Sequence, residues 1–304
     1  MKLKEKEPYS QINKWVCGSD LSILSASIIS IAIRFSKNHV KNKVMMFLTN
    51  YVVCMICAIF FLTNIDSIPK EELSFPIWFG IIMGFFYLVT FLFYEFNIRK
   101  NGVILSNIFS KLGTIIPVIV TFVFFNEAPK PLKIIGIVLA VIAVIIMNLD
   151  FKKKPNETEE QNESSTINVV YIFLILFFLL SGVADSATTV FNHMSIPELN
   201  GFFLLFVFGS AFIFALILLI IKHEKISIYD VLFGVIIGVH NYFSSFFTLK
   251  ALETVPAQIV YPTFCVGTIM IVTLFGVLAF KERLKLKDYI GILIIIAALI
   301  LLNI

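Results

Sequence analysis

Apolar residues fill this chain in long blocks separated by short polar breaks. A helix needs about 20 mainly apolar residues to cross a hydrocarbon core of about 30 Å. Ten blocks approach that length: Val16–Ser36, Val44–Asn64, Phe75–Phe96, Gly102–Asn126, Leu132–Leu149, Val169–Phe191, Gly201–Ile221, Ile228–Leu249, Pro256–Phe280 and Lys287–Ile304. The first is the most diluted, carrying Asp20, several serines and Arg34. Between the fifth and sixth blocks, Asp150 to Thr166 is polar and charged, too poor in apolar surface to fold. The pattern predicts an all-α integral membrane protein with five crossings in residues 1–149, a polar linker at 150–168 and five more crossings in 169–304.

The second half restates the first. Phe79-Gly80-Ile81-Ile82-Met83-Gly84 aligns with Phe233-Gly234-Val235-Ile236-Ile237-Gly238 at an offset of 154, which holds through Gly113-Thr114-Ile115 against Gly267-Thr268-Ile269. After one inserted residue, Glu127, Lys130, Ile135-Gly136-Ile137, Ala143, Ile145 and Asn148 meet Glu282, Lys285, Ile290-Gly291-Ile292, Ala298, Ile300 and Asn303 at an offset of 155. An odd number of crossings per copy leaves the copies upside down relative to each other. The expected architecture is therefore ten transmembrane helices in two inverted five-helix repeats, the symmetry on which alternating-access transporters are built.

Composition narrows the classes further. Of 304 residues, 59% are hydrophobic and 14% charged, where a water-soluble domain carries about a quarter charged residues; mean hydropathy is +0.94. The lipid bilayer is one partner, with a cell-membrane location expected. A net charge of +4 spread over loops gives no case for nucleic acid. Cys54 and Cys57 form C-x-x-C inside an apolar run, without a second pair or clustered histidines, so neither zinc nor any other cofactor is expected. The N-terminal lysines are not followed by a compact apolar core and cleavage site, so the start is read as mature protein. Lys and Arg concentrate in the loops on the side opposite the termini, and the positive-inside rule makes that side cytoplasmic.

The segments Gly113-Thr114-Ile115-Ile116-Pro117, Phe125-Asn126-Glu127 and Ile135-Gly136-Ile137 resemble the EamA-type repeat of the drug/metabolite transporter superfamily. Val266-Gly267-Thr268, Lys281-Glu282-Arg283 and Ile290-Gly291-Ile292 resemble it again. The resemblance implies ten helices in two inverted repeats, a central cavity lined by both halves, and cytoplasmic termini, the last opposing the charge bias. This chain departs from the pattern in lacking a Trp-Gly pair in the first helix, and in having Pro117 without a proline at Ile271.

Candidate chemistry sits on polar faces within the apolar blocks. Lys111 lies about ten residues into the fourth block, near mid-membrane at 1.5 Å per residue, where a charge costs at least about 2.5 kcal/mol and marks a water-filled path or a partner. Asn107, Ser110, Thr114 and Pro117 share its face, and Tyr261, Cys265 and Thr268 form the equivalent face of the ninth block. Asp185 is the natural counter-ion, with Ser181, Thr188 and Asn192 beside it. Tyr87 and Asn241 are repeat equivalents, as are Tyr94 and Thr248, and His240, Ser244 and Ser245 make the eighth block unusually polar. Such groups orient a solute, although Ser and Thr also bond their own or neighbouring helices, and a lone histidine is more often structural. Glu127 and Glu282 are expected to favour the N-terminus of the helix that follows each. The glycine pairs at four-residue spacing, Gly80/Gly84 and Gly234/Gly238, read as helix-packing positions.

These features predict a secondary transporter for a small polar metabolite, with an amino acid or related zwitterion favoured. The substrate-binding residues expected are Lys111, Asp185, Asn107, Thr114, Tyr87, Tyr94, His240, Asn241, Ser244, Tyr261 and Thr268. The small-molecule substrate is joined as a partner by a coupling ion or proton, because no nucleotide-binding motif is present. A flippase for a lipid or lipid-linked sugar is the alternative that a Phe-rich cavity would suit. An intramembrane enzyme fits worse, since H-E-x-x-H and G-x-S-x-G are absent and the four histidines are scattered.

Overall fold

The computed structural model describes residues 8–62, 70–125, 131–148, 160–222, 225–253, 255 and 257–303. They form the helices α1 (Pro8–Ser36), α2 (Lys43–Phe60), α3 (Ser74–Asn101), α4 (Val103–Leu112), α5 (Ile115–Phe125), α6 (Pro131–Asn148), α7 (Glu160–Met194), α8 (Asn200–Lys222), α9 (Ile228–Leu252), α10 (Ala257–Leu278) and α11 (Leu286–Asn303), with no strand among the described residues. By length and composition, seven helical stretches among the described residues can cross a membrane, and Thr263–Leu278 is a shorter apolar stretch. Ile81, Ile82, Phe85, Phe124, Ile217, Ile220, Met270 and Leu293 are exposed, as expected where the solvent is lipid.

Two elements differ from the sequence reading. Helix α7 begins at Glu160, inside the segment expected to stay unfolded; Glu and Gln extend a helix readily once an apolar run anchors it. Residues 149–159 lie outside the described residues. The fourth block is two helices, because Pro117 has no N–H to give the Gly113 carbonyl one turn back. Ile116 N bonds that carbonyl at 2.9 Å instead, and Thr114 N bonds Lys111 O at 3.3 Å, a tightened turn between α4 and α5.

Local signals fix the helix starts. Asn42 caps α2 by accepting from Met45 N at 2.9 Å. Ser227 and Asp230 form a capping box at α9, and Asp230 Oδ1 also accepts from Lys41 N at 2.9 Å, tying the α1–α2 turn to the second half.

The helices meet where glycine lets backbones close. A Cβ on Gly80 would lie 2.7 Å from Phe206 Cβ, and one on Gly84 2.9 Å from Ala211 N, so α3 packs directly on α8. A Cβ on Gly234 would lie 2.6 Å from Met46 O, and one on Gly238 2.7 Å from Asn50 O, so α9 packs on α2 the same way. Between lipid-exposed helices apolar burial supplies little attraction, and close packing holds the pair. Helix α1 packs on α9 and α10, α7 on α3, α4 and α5, α2 on α8, α4 on α10, and α6 on α11.

The serines that dilute α1 explain its place. Ser19, Ser22, Ser25, Ser27 and Ser30 are buried while Asp20 is exposed. Ser27 and Ser30 bond carbonyls one turn back on their own helix, at 2.8 and 3.1 Å. Ser22 Oγ donates to Ser244 O at 3.0 Å and lies 2.8 Å from Thr248 Oγ1, joining α1 to α9.

Gly238→Leu should push α9 off α2 and lower stability by about 1–3 kcal/mol, the usual cost of overpacking. Gly209→Ala should leave it nearly unchanged, since the nearest atom is Met55 Cε at 3.9 Å. Thermal unfolding of the two purified variants checks the contrast.

Candidate substrate-binding site

A cavity of about 140 Å³ sits among α1, α3, α4, α7, α9 and α10. At roughly 30 Å³ per water, it has room for about five waters or a small solute. Of the residues expected from sequence, Lys111, Asp185, Tyr87, Tyr94, Asn241, Ser244 and Tyr261 line it.

Packing brings the two charges to one cavity. Gly113 and Gly182 let the α4–α5 turn lie against α7, where a Cβ on Gly182 would stand 2.7 Å from Gly113 O. Ser110 Oγ and Ser181 Oγ hydrogen-bond across this contact at 3.0 Å. Lys111 is the next residue on α4, and Asp185 lies about one turn beyond Ser181 on α7. The two do not form an ion pair within 4 Å among the described residues; the Lys111 ammonium instead lies 4.1 Å from the centroid of the Phe264 ring. A cation over an aromatic face is stabilised by about 0.5–2 kcal/mol, which leaves both charges turned to the cavity.

Tyrosines frame the space. Tyr94 OH lies 2.5 Å from Ser30 Oγ, and its ring stacks on Phe177 at 5.1 Å, linking α3, α1 and α7. Tyr261 OH donates to Asp185 O at 3.0 Å and lies 2.9 Å from Thr189 Oγ1, linking α10 to α7.

Four expected residues do not line the cavity, each for a local reason. Asn107 is buried behind Tyr94, accepting from its hydroxyl at 3.4 Å. Thr114 Oγ1 donates to Lys111 O at 2.7 Å, and Thr268 Oγ1 donates to Phe264 O at 2.8 Å. His240 Nδ1 lies 2.8 Å from Ile236 O on its own helix. The cavity also takes in Ser30, Thr90, Phe91, Phe177 and Phe264, which sequence did not single out. Ser30 falls on the same polar stripe of α1 as Ser22, the signal that could have found it.

Of the two carboxylates expected at helix starts, Glu282 departs from the reading. Glu282 does not cap α11, whose start is held by Asp288 accepting from Lys285 N at 2.8 Å. Its carboxylate crosses to the first half, accepting from Val103 N at 2.9 Å and Ile104 N at 3.2 Å at the start of α4, with Arg34 Nε 3.0 Å away. Gly102, at φ +85°, makes this approach possible, because a Cβ there would stand 2.8 Å from the Glu282 carboxylate. Glu127 lies outside the described residues. Glu95 is buried between Lys43, at 2.9 Å, and Arg99. Asn241 Nδ2 donates to Asn50 Oδ1 at 3.2 Å, and the Cys54 thiol to Gly238 O at 3.3 Å, so the C-x-x-C is spent on helix packing with both thiols free.

The sequence pattern of the EamA-like transporter family matches residues 18–149 and again residues 172–304. The chain belongs to the EamA-like transporter family. As an EamA-like protein it is an integral membrane transporter, with the long apolar helices such a protein requires. It is 24% identical over 293 residues to an uncharacterized protein of Haemophilus influenzae, covering 91% of this chain and 94% of that one. It also resembles a protein of known crystal structure at a TM-score of 0.61 and 12% identity, covering 95% of this chain and 96% of the other, a likeness of fold.

Glu282→Gln removes a charge-assisted cap and its ion pair and should lower stability by about 1.5–3 kcal/mol. Gly102→Ala, strained by its φ and crowded by the carboxylate, should fall in the same direction. Melting curves of the two variants beside the parent protein check both.

Proposed function

We propose that this EamA-like protein is a secondary transporter that moves a small polar metabolite, with an amino acid or related zwitterion favoured, by alternating access through the central cavity. The carrying observation is that Lys111 and Asp185 line one cavity without pairing with each other. Separated opposite charges suit a solute that carries both: Lys111 meets a carboxylate, Asp185 an ammonium or proton, and the Ser244 hydroxyl and Asn241 amide fix its orientation. Coupling draws on an ion gradient or on exchange.

The packing supports ten crossings in two inverted repeats, residues 1–149 and 169–304 joined by the linker. Under the sequence repeat, α3 on α8 corresponds to α9 on α2, and α1 on α10 to α7 on α4 and α5. Helices α2 and α8, α4 and α10, and α6 and α11 each pack on their own counterpart, as elements near a two-fold axis do. Five crossings per copy put that axis in the membrane plane. The proposed location is the cell membrane. A flippase for a lipid or lipid-linked sugar is the runner-up, favoured by Phe91, Phe177 and Phe264 in the cavity wall.

A thermal-shift screen of purified protein against amino acids, nucleosides, sugars and cationic drugs identifies the solute, because a ligand of the native state raises its melting temperature. Stabilisation by lipid-linked compounds alone would favour the flippase. In proteoliposomes, Lys111→Met and Asp185→Asn should each reduce uptake of that solute at least tenfold, with the double variant equally inactive. Recovery in the double variant would make the pair structural, and full uptake by Lys111→Met would remove Lys111 from the mechanism.

Single cysteines at Asn156 and Lys285, in a background without native cysteines, should react alike with an impermeant maleimide in intact cells. Unequal labelling would contradict four crossings between those positions.

A further inference from the structure

Outside the central site, charge is densest around a second cavity of about 300 Å³, at the end of the bundle where α1 and α3 finish and α4 begins. Arg34, Lys37, Arg99, Lys100 and Arg283 line it, against the carboxylates of Glu282 and Asp288. Its walls come from both halves: α1, α3 and α4 on one side, the segment between α10 and α11 and the start of α11 on the other.

Both carboxylates are committed elsewhere. Glu282 is held by Arg34 and the amides of α4, and Asp288 by the amide of Lys285. Arg99 is paired with the buried Glu95, and Arg99 and Lys37 are further tied to backbone. Lys37 Nζ donates to Arg99 O at 2.9 Å, and Arg99 Nη1 returns a bond to Lys37 O at 2.9 Å. Neither Lys100 nor Arg283 forms an ion pair among the described residues. Residues that serve only to keep this end on one side of the membrane would spread into solvent. Like charges fixed around a half-enclosed space repel one another more strongly than on an open surface.

We propose that this cavity binds a phosphate group through Lys37, Lys100 and Arg283. The Arg283 guanidinium fork matches phosphate oxygens in pairs, and the ammonium groups of Lys37 and Lys100 add charge at short range. The phosphate arrives either on an anionic lipid headgroup or as the free ion. This site stands apart from the central cavity and does not depend on what that cavity carries.

Delipidated protein in neutral detergent tests the proposal by thermal unfolding. One arm adds inorganic phosphate at constant ionic strength; the other adds micelles containing phosphatidylglycerol, with phosphatidylcholine as the neutral match. A saturable rise in melting temperature in the first arm identifies a free-anion site, and one confined to phosphatidylglycerol identifies a headgroup site. The Lys100→Gln/Arg283→Gln double variant, whose residues make no ion pair among the described residues, should melt like the parent without ligand and need at least tenfold more ligand to half-saturate. Lys41→Gln, an exposed cation outside the cavity lining, should respond like the parent. No saturable rise from either source, or a rise unchanged in the double variant, overturns the proposal. An equal loss of response in Lys41→Gln does the same, since it would assign the effect to diffuse surface charge.

Discussion

Backbone-to-backbone contact at glycine is the constraint on which the rest of this structure depends. Lipid is as apolar as a leucine side chain, so helices inside it gain most by fitting closely. Gly84 seats α3 on α8, Gly238 seats α9 on α2, and Gly113 with Gly182 seats the α4–α5 turn on α7. Each contact lies within one turn of a residue that lines the central cavity: Tyr87 follows Gly84, Asn241 follows Gly238, Lys111 precedes Gly113, and Asp185 follows Gly182. A larger residue at any of these glycines would shift a whole polar face relative to its neighbours. The packing positions and the chemistry are therefore parts of one geometric arrangement.

Polar groups divide between two tasks. Ser27 and Thr268 bond carbonyls of their own helices and Thr114 the carbonyl of Lys111 just before it, which satisfies the hydroxyl and removes it from recognition. Ser22, Ser110 and Ser181 bond between helices and hold the walls together. At the basic end of the bundle the same division appears among charges. Glu282 and Glu95 are consumed by structure, whereas Lys100 and Arg283 are left facing a cavity.

Much of the fold was legible because membrane helices write themselves as long apolar blocks, and because the glycine-marked repeat survives in both halves. Among the described residues each of the ten blocks overlaps a helix, the fourth divided between two. The cavity lining was partly legible for a related reason: Lys111, Asp185 and Asn241 are rare residue types in apolar surroundings. Phe264 was invisible as one of 33 phenylalanines, and its part in holding the Lys111 ammonium exists only once α10 lies beside α4. The turning inward of Thr114 and Thr268 depends on rotamers that spacing does not encode. Glu282 was misassigned because the helix start it serves lies far away in sequence, in the other half.

The two halves repeat one pattern, yet differ at the joint beside Lys111. Proline at 117 leaves α4 and α5 meeting at a short turn, while the counterpart position is Ile271 and α10 runs unbroken from Ala257 to Leu278. The turn and the continuous helix lie against each other, with the Cys265 thiol 3.6 Å from Lys111 O. The lysine of the cavity thus stands beside a break between α4 and α5 that α10 does not have at the equivalent position.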